Sequence, residues 1–350
     1  MDQKKLTDAM HRIEELWNET EGKCYVSFSG GKDSTVLLAL IKMCQDLYTI
    51  GDIPAVFSNT GIELQVTVDF VKWCKDSGYY QNVQIITPEK SFGWVMENKG
   101  KPSLSKMRSE GVERWHRNPT PSNYQNVILG ISNSGKIATK SRLADKHMHY
   151  AHPDFAVRVS QDCCKYLKKN PFKKYHKDSG MKGCITGIRI EEGGSRDMTT
   201  LSRLRAGGKL CTVTKHGITY KYPIIDWTEQ DVDDFVEEYN IPLSDAYTKY
   251  GFKRTGCMAC PYSPEIKESL LYLHNHEPQK YKAAMHWLKD VYIAQNVELP
   301  FDTDYEAERI KTWEEQYRPM RIEMLEKYRP NSRLLKKEKE LYGAEHTSLD

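Results

Sequence analysis

Residues 27–34, Ser-Phe-Ser-Gly-Gly-Lys-Asp-Ser, constrain this chain more than any other stretch. Residues 23–28 read as a short buried strand, and from Thr35 to Cys44 apolar residues recur at helical spacing, so the stretch is a strand-to-helix turn. Gly30 and Gly31 admit backbone conformations that a side chain forbids, which lets successive N–H groups converge on an anion at the positive end of the following helix. Lys32 adds a point charge, Ser29 and Ser34 add hydroxyl donors, and Asp33 either caps the helix or holds a metal ion such as Mg²⁺. The spacing is not that of a Walker loop, which needs four residues between its first glycine and Gly-Lys. A Gly-Gly pair alone is an ordinary turn; the matched residues between strand and helix favour a cradle for phosphate or sulfate.

The rest of the chain supplies a setting for that turn. Residues 3–20 carry Leu6, Met10, Ile13 and Leu16 at the spacing of an amphipathic helix. Residues 53–57 and 83–87 read as further strands, with a helix between them from Val66 to Cys74, and residues 185–189 read as another strand. Strands alternating with helices predict an α/β fold: a Rossmann-like parallel sheet with helices on both faces, binding ligands beyond the strand C-terminal ends. Asn59, Thr60, Gly61 and Glu63 follow the second strand and fall at such an end. After Cys260 the sequence turns helical, which predicts residues 1–262 as the nucleotide-binding and metal-bearing domain and 263–350 as a helical C-terminal extension. Residues 97–150 break the strand–helix rhythm and read as a basic insertion or lid.

Composition narrows the setting. Hydrophobic content of 39% and charged content of 28% describe a globular protein, and no apolar run or signal-peptide core is present, so a cytoplasmic location without membrane contact is expected. Nine cysteines there are thiols or metal ligands rather than disulfides. The net charge of +3 is unevenly spread: residues 99–146 hold ten Lys/Arg against three Asp/Glu, whereas residues 226–245 hold eight acids and no Lys/Arg. Trp115, His116, Tyr124 and His147 interleave with the basic residues, a composition suited to nucleic acid, to a substrate lid or to a packed loop. Cys163-Cys164 and Cys257-Met-Ala-Cys260 form two pairs, a donor set for zinc or for a [4Fe–4S] cluster.

Ser-Gly-Gly-Lys-Asp-Ser after a first strand resembles the pyrophosphate (PP) loop of the adenine-nucleotide alpha-hydrolase superfamily, which includes ATP pyrophosphatases, ATP sulfurylase small subunits and sulfonucleotide reductases. Residues 59–63 resemble the Asp-Thr-Gly segment with downstream Glu that such proteins place around the nucleotide; Asn59 keeps an acceptor there but loses the charge. Cys163-Cys164 with Lys168 and Pro171, then Thr186-Gly-Ile-Arg189 with Arg196, then residues 222–227, then Cys257 and Cys260, resemble the cluster-bearing phosphoadenylyl- and adenylyl-sulfate reductases in order and spacing. The resemblance implies that the four cysteines ligate a [4Fe–4S] cluster, that Lys168 approaches cluster and substrate, and that Arg189 and Arg196 bind a nucleotide phosphate or sulfate. It implies catalytic roles for Lys32, Asp33 and Lys168, and ATP, adenylyl sulfate or phosphoadenylyl sulfate as ligand.

Those reductases carry a late cysteine that attacks sulfur, and this sequence has none after Cys260. The leading expectation is therefore an adenine-nucleotide-dependent sulfur-transfer or adenylylating enzyme, similar to DNA phosphorothioation enzymes, with nucleic acid as a candidate acceptor and a sulfur-donor protein as partner. The alternatives are a true sulfonucleotide reductase served by a displaced or partner thiol, with a thiol-reductant protein, and a regulator that binds nucleotide and cluster without turnover.

Overall fold

The computed structural model describes residues 1–48, 50–137, 141–192 and 210–346. The chain divides into two compact units, Met1–Glu89 with Leu167–Cys257, and Lys90–Tyr166 with Met258–Asp350. The sequence-based division places a boundary after residue 262, near the last of these seams at Cys257, but does not anticipate that residues 90–166 group with the C-terminal helices.

The first unit is the α/β body. Its strands are β1 (Cys24–Ser27), β2 (Ala55–Ser58), β3 (Val83–Ile86), β4 (Gly183–Ile185), β5 (Thr212–Lys215) and β6 (Ile218–Lys221), in the order β3-β2-β1-β4-β6-β5. All neighbouring pairs are parallel except the β5–β6 hairpin, whose His216-Gly217 turn has both φ angles positive, at 53° and 77°. The strand alternation sorts side chains between two layers. Cys24, Val26, Ala55 and Phe57 face a large core with α1 (Gln3–Glu19), α2 (Lys32–Tyr48), α3 (Gln65–Asp76) and the Glu229–Glu238 helix. Tyr25, Val56 and Cys184 face the opposite layer, against Phe172 and Tyr175 of the Asn170–Ser179 helix. The chain runs outward through β2 and β3, then returns to place β4 on the other side of β1, so the crevice between the ends of β1 and β4 is the topological switch point.

The expected strand over residues 185–189 ends at Ile185. A Cβ at Gly187 would lie 3.1 Å from the Asp33 backbone and Cβ, so here the chain leaves the sheet to pass against the first turn of α2.

The second unit is helical. His149, Tyr150, Phe155, Trp313 and Tyr317 form an aromatic cluster, with Trp313 Nε1 donating to Ile293 O at 2.6 Å. Residues expected as an insertion or lid are integral to this packing. Trp115 donates to Ala151 O at 2.8 Å, His116 Nε2 lies 2.7 Å from Tyr150 O, Tyr124 packs at a tilt against Tyr328 with ring centroids 5.4 Å apart, and Lys101 pairs with Asp290 at 2.7 Å. Among the three readings of that stretch, the packed one describes these aromatic residues. Among the described residues no helix is long and apolar enough to cross a membrane.

Candidate functional site

The PP-like loop closes on itself before it meets any ligand. Gly30 has φ +71°, and a Cβ there would come within 2.8 Å of Thr67 Cγ2 on α3, so both its conformation and its packing exclude a side chain. Ser34 Oγ donates to Gly31 O at 2.8 Å and accepts from Ser29 N–H at 3.2 Å, while Ser29 Oγ accepts from Gly31 N–H at 3.3 Å. The two serine hydroxyls thus shape the loop, and α2 starts directly at Lys32 with its positive end in the crevice.

Charge is dense around that helix start. Lys32 Nζ lies 2.5 Å from both Glu229 Oε1 and Asp233 Oδ1. Thr228 caps the Glu229–Glu238 helix in a reciprocal capping box with Asp231, and the four-residue spacing then sets Glu229 and Asp233 on one face. Arg189, only 3% exposed, reaches Asp33 Oδ1 at 3.1 Å and Glu191 Oε2 at 3.3 Å, and also bonds Glu229. Burial works against the charge on Lys32, but Asp233 and Glu229 raise its pKa above the ordinary lysine value. Burial likewise opposes the Arg189 charge and Asp33 and Glu229 restore it. Glu229 is lowered: burial opposes its charge, and Lys32 and Arg189 outweigh it. Asp33 is raised, because burial outweighs Arg189.

These groups border a cleft of about 260 Å³ between the loop after β1 and the one after β4. Ser29, Gly31, Lys32, Asp33, Ser34 and Arg189, all expected from sequence, line it. Glu229, Tyr247, Lys253, Arg254 and Thr255 also line it and were not anticipated. The run of eight acids in residues 226–245 was the only sequence signal for any of them. Residues 59–63 are not part of that lining: Glu63 accepts from Thr60 N–H at 3.0 Å and from Thr60 Oγ1 at 2.7 Å, Asn59 Oδ1 accepts from Gly61 N–H, and Glu63 bridges to Cys257 through the backbone. Lys168 sits in the π-helical turn Lys165–Lys169, also outside the lining, and Arg196 lies outside the described residues.

Within the second unit, Cys163, Cys164 and Cys260 all lie close enough to Tyr262 to act electrostatically on its hydroxyl, whose pKa is raised chiefly by burial. The turn leading to Cys260 is held on both sides: Ala259, at φ +51°, donates N–H to Ser269 Oγ at 3.1 Å and accepts from Tyr292 OH at 2.6 Å. Thiols such as these are soft donors of the kind that iron–sulfur and zinc sites use. Among the described residues no three or more His, Cys, Asp or Glu side chains are already arranged to hold a metal ion. The remaining thiols differ in kind. Burial pushes Cys24 to about 11 and Cys44, Cys74 and Cys184 to about 12, so they stay protonated, while Cys211 is half-buried beside Thr212 Oγ1.

An uncharacterized protein of Methanocaldococcus jannaschii is 24% identical over 259 residues, 74% of this chain and 46% of that protein. The adenosine 5'-phosphosulfate reductase of Neisseria meningitidis is 30% identical over 105 residues, 30% of this chain and 38% of the reductase. The chain therefore spans less than half the length of these curated relatives. Among solved structures, the phosphoadenylyl-sulfate reductase of Candida auris in its phosphate complex superposes with a TM-score of 0.42 at 14% identity, covering 71% of this chain and 87% of that one. The phosphoadenosine phosphosulfate reductase domain matches residues 23–117 and 122–263, a span that contains the loop, Arg189, Cys163, Cys164, Cys257 and Cys260, and the chain belongs to that family.

Proposed function

We propose that this protein is an adenine-nucleotide-dependent enzyme that binds ATP, with Mg²⁺, by its phosphates at the start of α2 and adenylylates an acceptor in preparation for sulfur transfer. The observation that carries this reading is the cleft at the switch point, where the positive end of α2 and four cations meet four carboxylates. Such a balance suits a polyphosphate travelling with a divalent cation better than a singly bridged sulfate. In the reaction an acceptor oxygen attacks the α-phosphorus, the bond to the bridging oxygen of pyrophosphate breaks, and pyrophosphate leaves carrying that electron pair. The loop N–H groups and the cations stabilise the charge that builds on the leaving group, and the Arg189–Asp33 pair holds the loop after β4 against the first turn of α2.

Cys163, Cys164, Cys257 and Cys260 are the residues that would hold a [4Fe–4S] cluster, which when bound supplies a site for sulfur or an electron. The high pKa values of Cys24, Cys44, Cys74 and Cys184 speak against any of these as the attacking thiol of a reductase. Exposed Lys106, Arg117, Lys136, Arg142 and Lys146 support a polyanionic acceptor such as nucleic acid. The test is anaerobic: multiple-turnover release of pyrophosphate from ATP with DNA or RNA present supports the reading, and robust sulfite release from adenylyl sulfate by the isolated chain refutes it in favour of a reductase.

A further inference from the structure

The loop cations are already spoken for. Lys32 is held by Glu229 and Asp233, and Arg189 by Asp33, Glu191 and Glu229, so these two positive charges face four negative ones. Lys253 and Arg254 line the same cleft, are exposed, and make no ion pair among the described residues. They also border an adjoining cavity of about 480 Å³ that shares Lys32, Glu229 and Tyr247 with the first.

A second observation marks where an anion oxygen belongs. The Tyr247 hydroxyl accepts from Lys32 N–H at 3.0 Å and from Thr255 N–H at 3.3 Å, with Thr255 Oγ1 at 3.2 Å. Two backbone donors from segments far apart in sequence, one of them the first residue of α2, thus converge on one neutral oxygen. A Cβ at Gly31 would lie 3.3 Å from that oxygen and 2.9 Å from Thr255 Oγ1, so glycine is what leaves the point open to the loop.

We propose that Lys32 N–H, Thr255 N–H, Lys253 and Arg254 form a polyphosphate subsite, and that the Tyr247 hydroxyl is its placeholder, displaced when the phosphates enter. The subsite rests on the nucleotide reading above and specifies its ligand: a di- or triphosphate chain rather than a nucleoside monophosphate. The tyrosine keeps two helix-end and loop donors satisfied in the free protein and gives way to an oxygen carrying charge. Lys253 and Arg254, from the segment that leads into Cys257, add attraction to that of Lys32 and Arg189, whose charge the carboxylates offset in part.

Calorimetry on the full chain with Mg²⁺, using pyrophosphate, ATP and AMP as probes, tests this. The double variant Lys253→Ala/Arg254→Ala, at two exposed positions, is expected to weaken pyrophosphate and ATP by about tenfold or more while AMP changes by less than about twofold. Tyr247→Phe is expected to tighten pyrophosphate several-fold, because the competing hydroxyl is gone and the two N–H groups wait unpaired. Unchanged pyrophosphate and ATP affinity in the double variant, equal losses for all three probes, or weaker pyrophosphate binding by Tyr247→Phe would each overturn the subsite. Those outcomes leave the nucleotide reading standing, whereas a wild-type chain that binds none of the three probes overturns both.

Discussion

Lys32→Ala separates two roles that the structure assigns to one ammonium group. Lys32 is 13% exposed and its partners Glu229 and Asp233 are 51% and 52% exposed, so its ion pairs are well screened and contribute about 0–1 kcal/mol to stability. Toward an anion the same group is worth more. Removing a charge-assisted hydrogen bond costs about 1.5–3 kcal/mol, which raises the dissociation constant for ATP or adenylyl sulfate by about 10- to 150-fold. Removing the lysine also leaves two carboxylates facing the phosphates, which places the expectation toward the upper end of that range. Asp233→Asn should act in the opposite direction, because it frees Lys32 from a partner that touches no other described cation; in the Lys32→Ala background its benefit should shrink. Calorimetric titration of the four proteins of this cycle, with urea denaturation as a control for folding, measures both effects. Unchanged affinity in a well-folded Lys32→Ala variant would refute the anion cradle, and an Asp233→Asn effect of equal size in both backgrounds would refute the competition between carboxylate and ligand.

Gly30→Ala should destabilise the first unit by about 1–2 kcal/mol from the left-handed backbone alone, with more from the contact of its methyl with Thr67, read as a lower urea midpoint; an unchanged midpoint contradicts the local geometry. Replacing any one of Cys163, Cys164, Cys257 or Cys260 with Ser should remove iron, sulfide and absorbance near 400 nm from anaerobically purified protein, whereas Cys184→Ala retains them. Stoichiometric zinc without sulfide in the parent protein selects the other metal. His149 is buried in the aromatic cluster with Nε2 bonded to Ala294 O at 2.9 Å, and burial pushes its pKa down to about 3. The unfolded chain therefore takes up a proton below about pH 6.5 that the folded one refuses, and the stability present above that pH falls by about 2 kcal/mol at pH 5. His149→Gln, which keeps a donor toward Ala294, should flatten that decline in urea titrations at pH 7 and pH 5; an identical decline in both proteins rules out His149 as its source.

What the sequence made legible was local. β1, β2 and β3 fall within about two residues of their expected bounds because each is a short apolar run between turn residues, and α1 follows its 3.6-residue apolar stripe. The loop was readable for the same reason, since Gly30, Gly31 and the two serines act on backbone within a few residues of themselves. Contacts that cross the chain were not readable. Glu229 reaches Lys32 across 197 residues, and no feature of Glu229 distinguishes it from the other acids of its helix until the capping box fixes which face it takes. Arg189 was expected at the end of a strand over residues 185–189, yet the close approach of Gly187 to Asp33 turns the chain out of the sheet, and this is what delivers the guanidinium to the carboxylate of the loop.

The same distinction explains why residues 97–150 were hard to assign. Trp115, His116 and Tyr124 among lysines and arginines have one composition whether they stack on bases or on one another, and only their partners separate the cases. Trp115 Nε1 is bonded to Ala151 O, and Trp115 and Tyr124 both pack against Tyr328, so these rings serve the helical unit. Arg108 is similarly committed, its Nε donating to Arg142 O at 3.1 Å, and Lys101 to Asp290. A polyanion that docks on this unit must therefore be held by the cations left exposed, by charge rather than by stacking. Its affinity should fall steeply with salt, while Lys101 and Arg108 contribute to folding more than to binding. Neutralising Lys106, Arg117, Arg142 and Lys146 together should flatten the dependence of binding on salt concentration by about one counterion for each cation that had faced a phosphate, whereas Arg108→Ala should leave that slope unchanged. A slope that responds to Arg108 and not to the exposed set would place the acceptor on a different face.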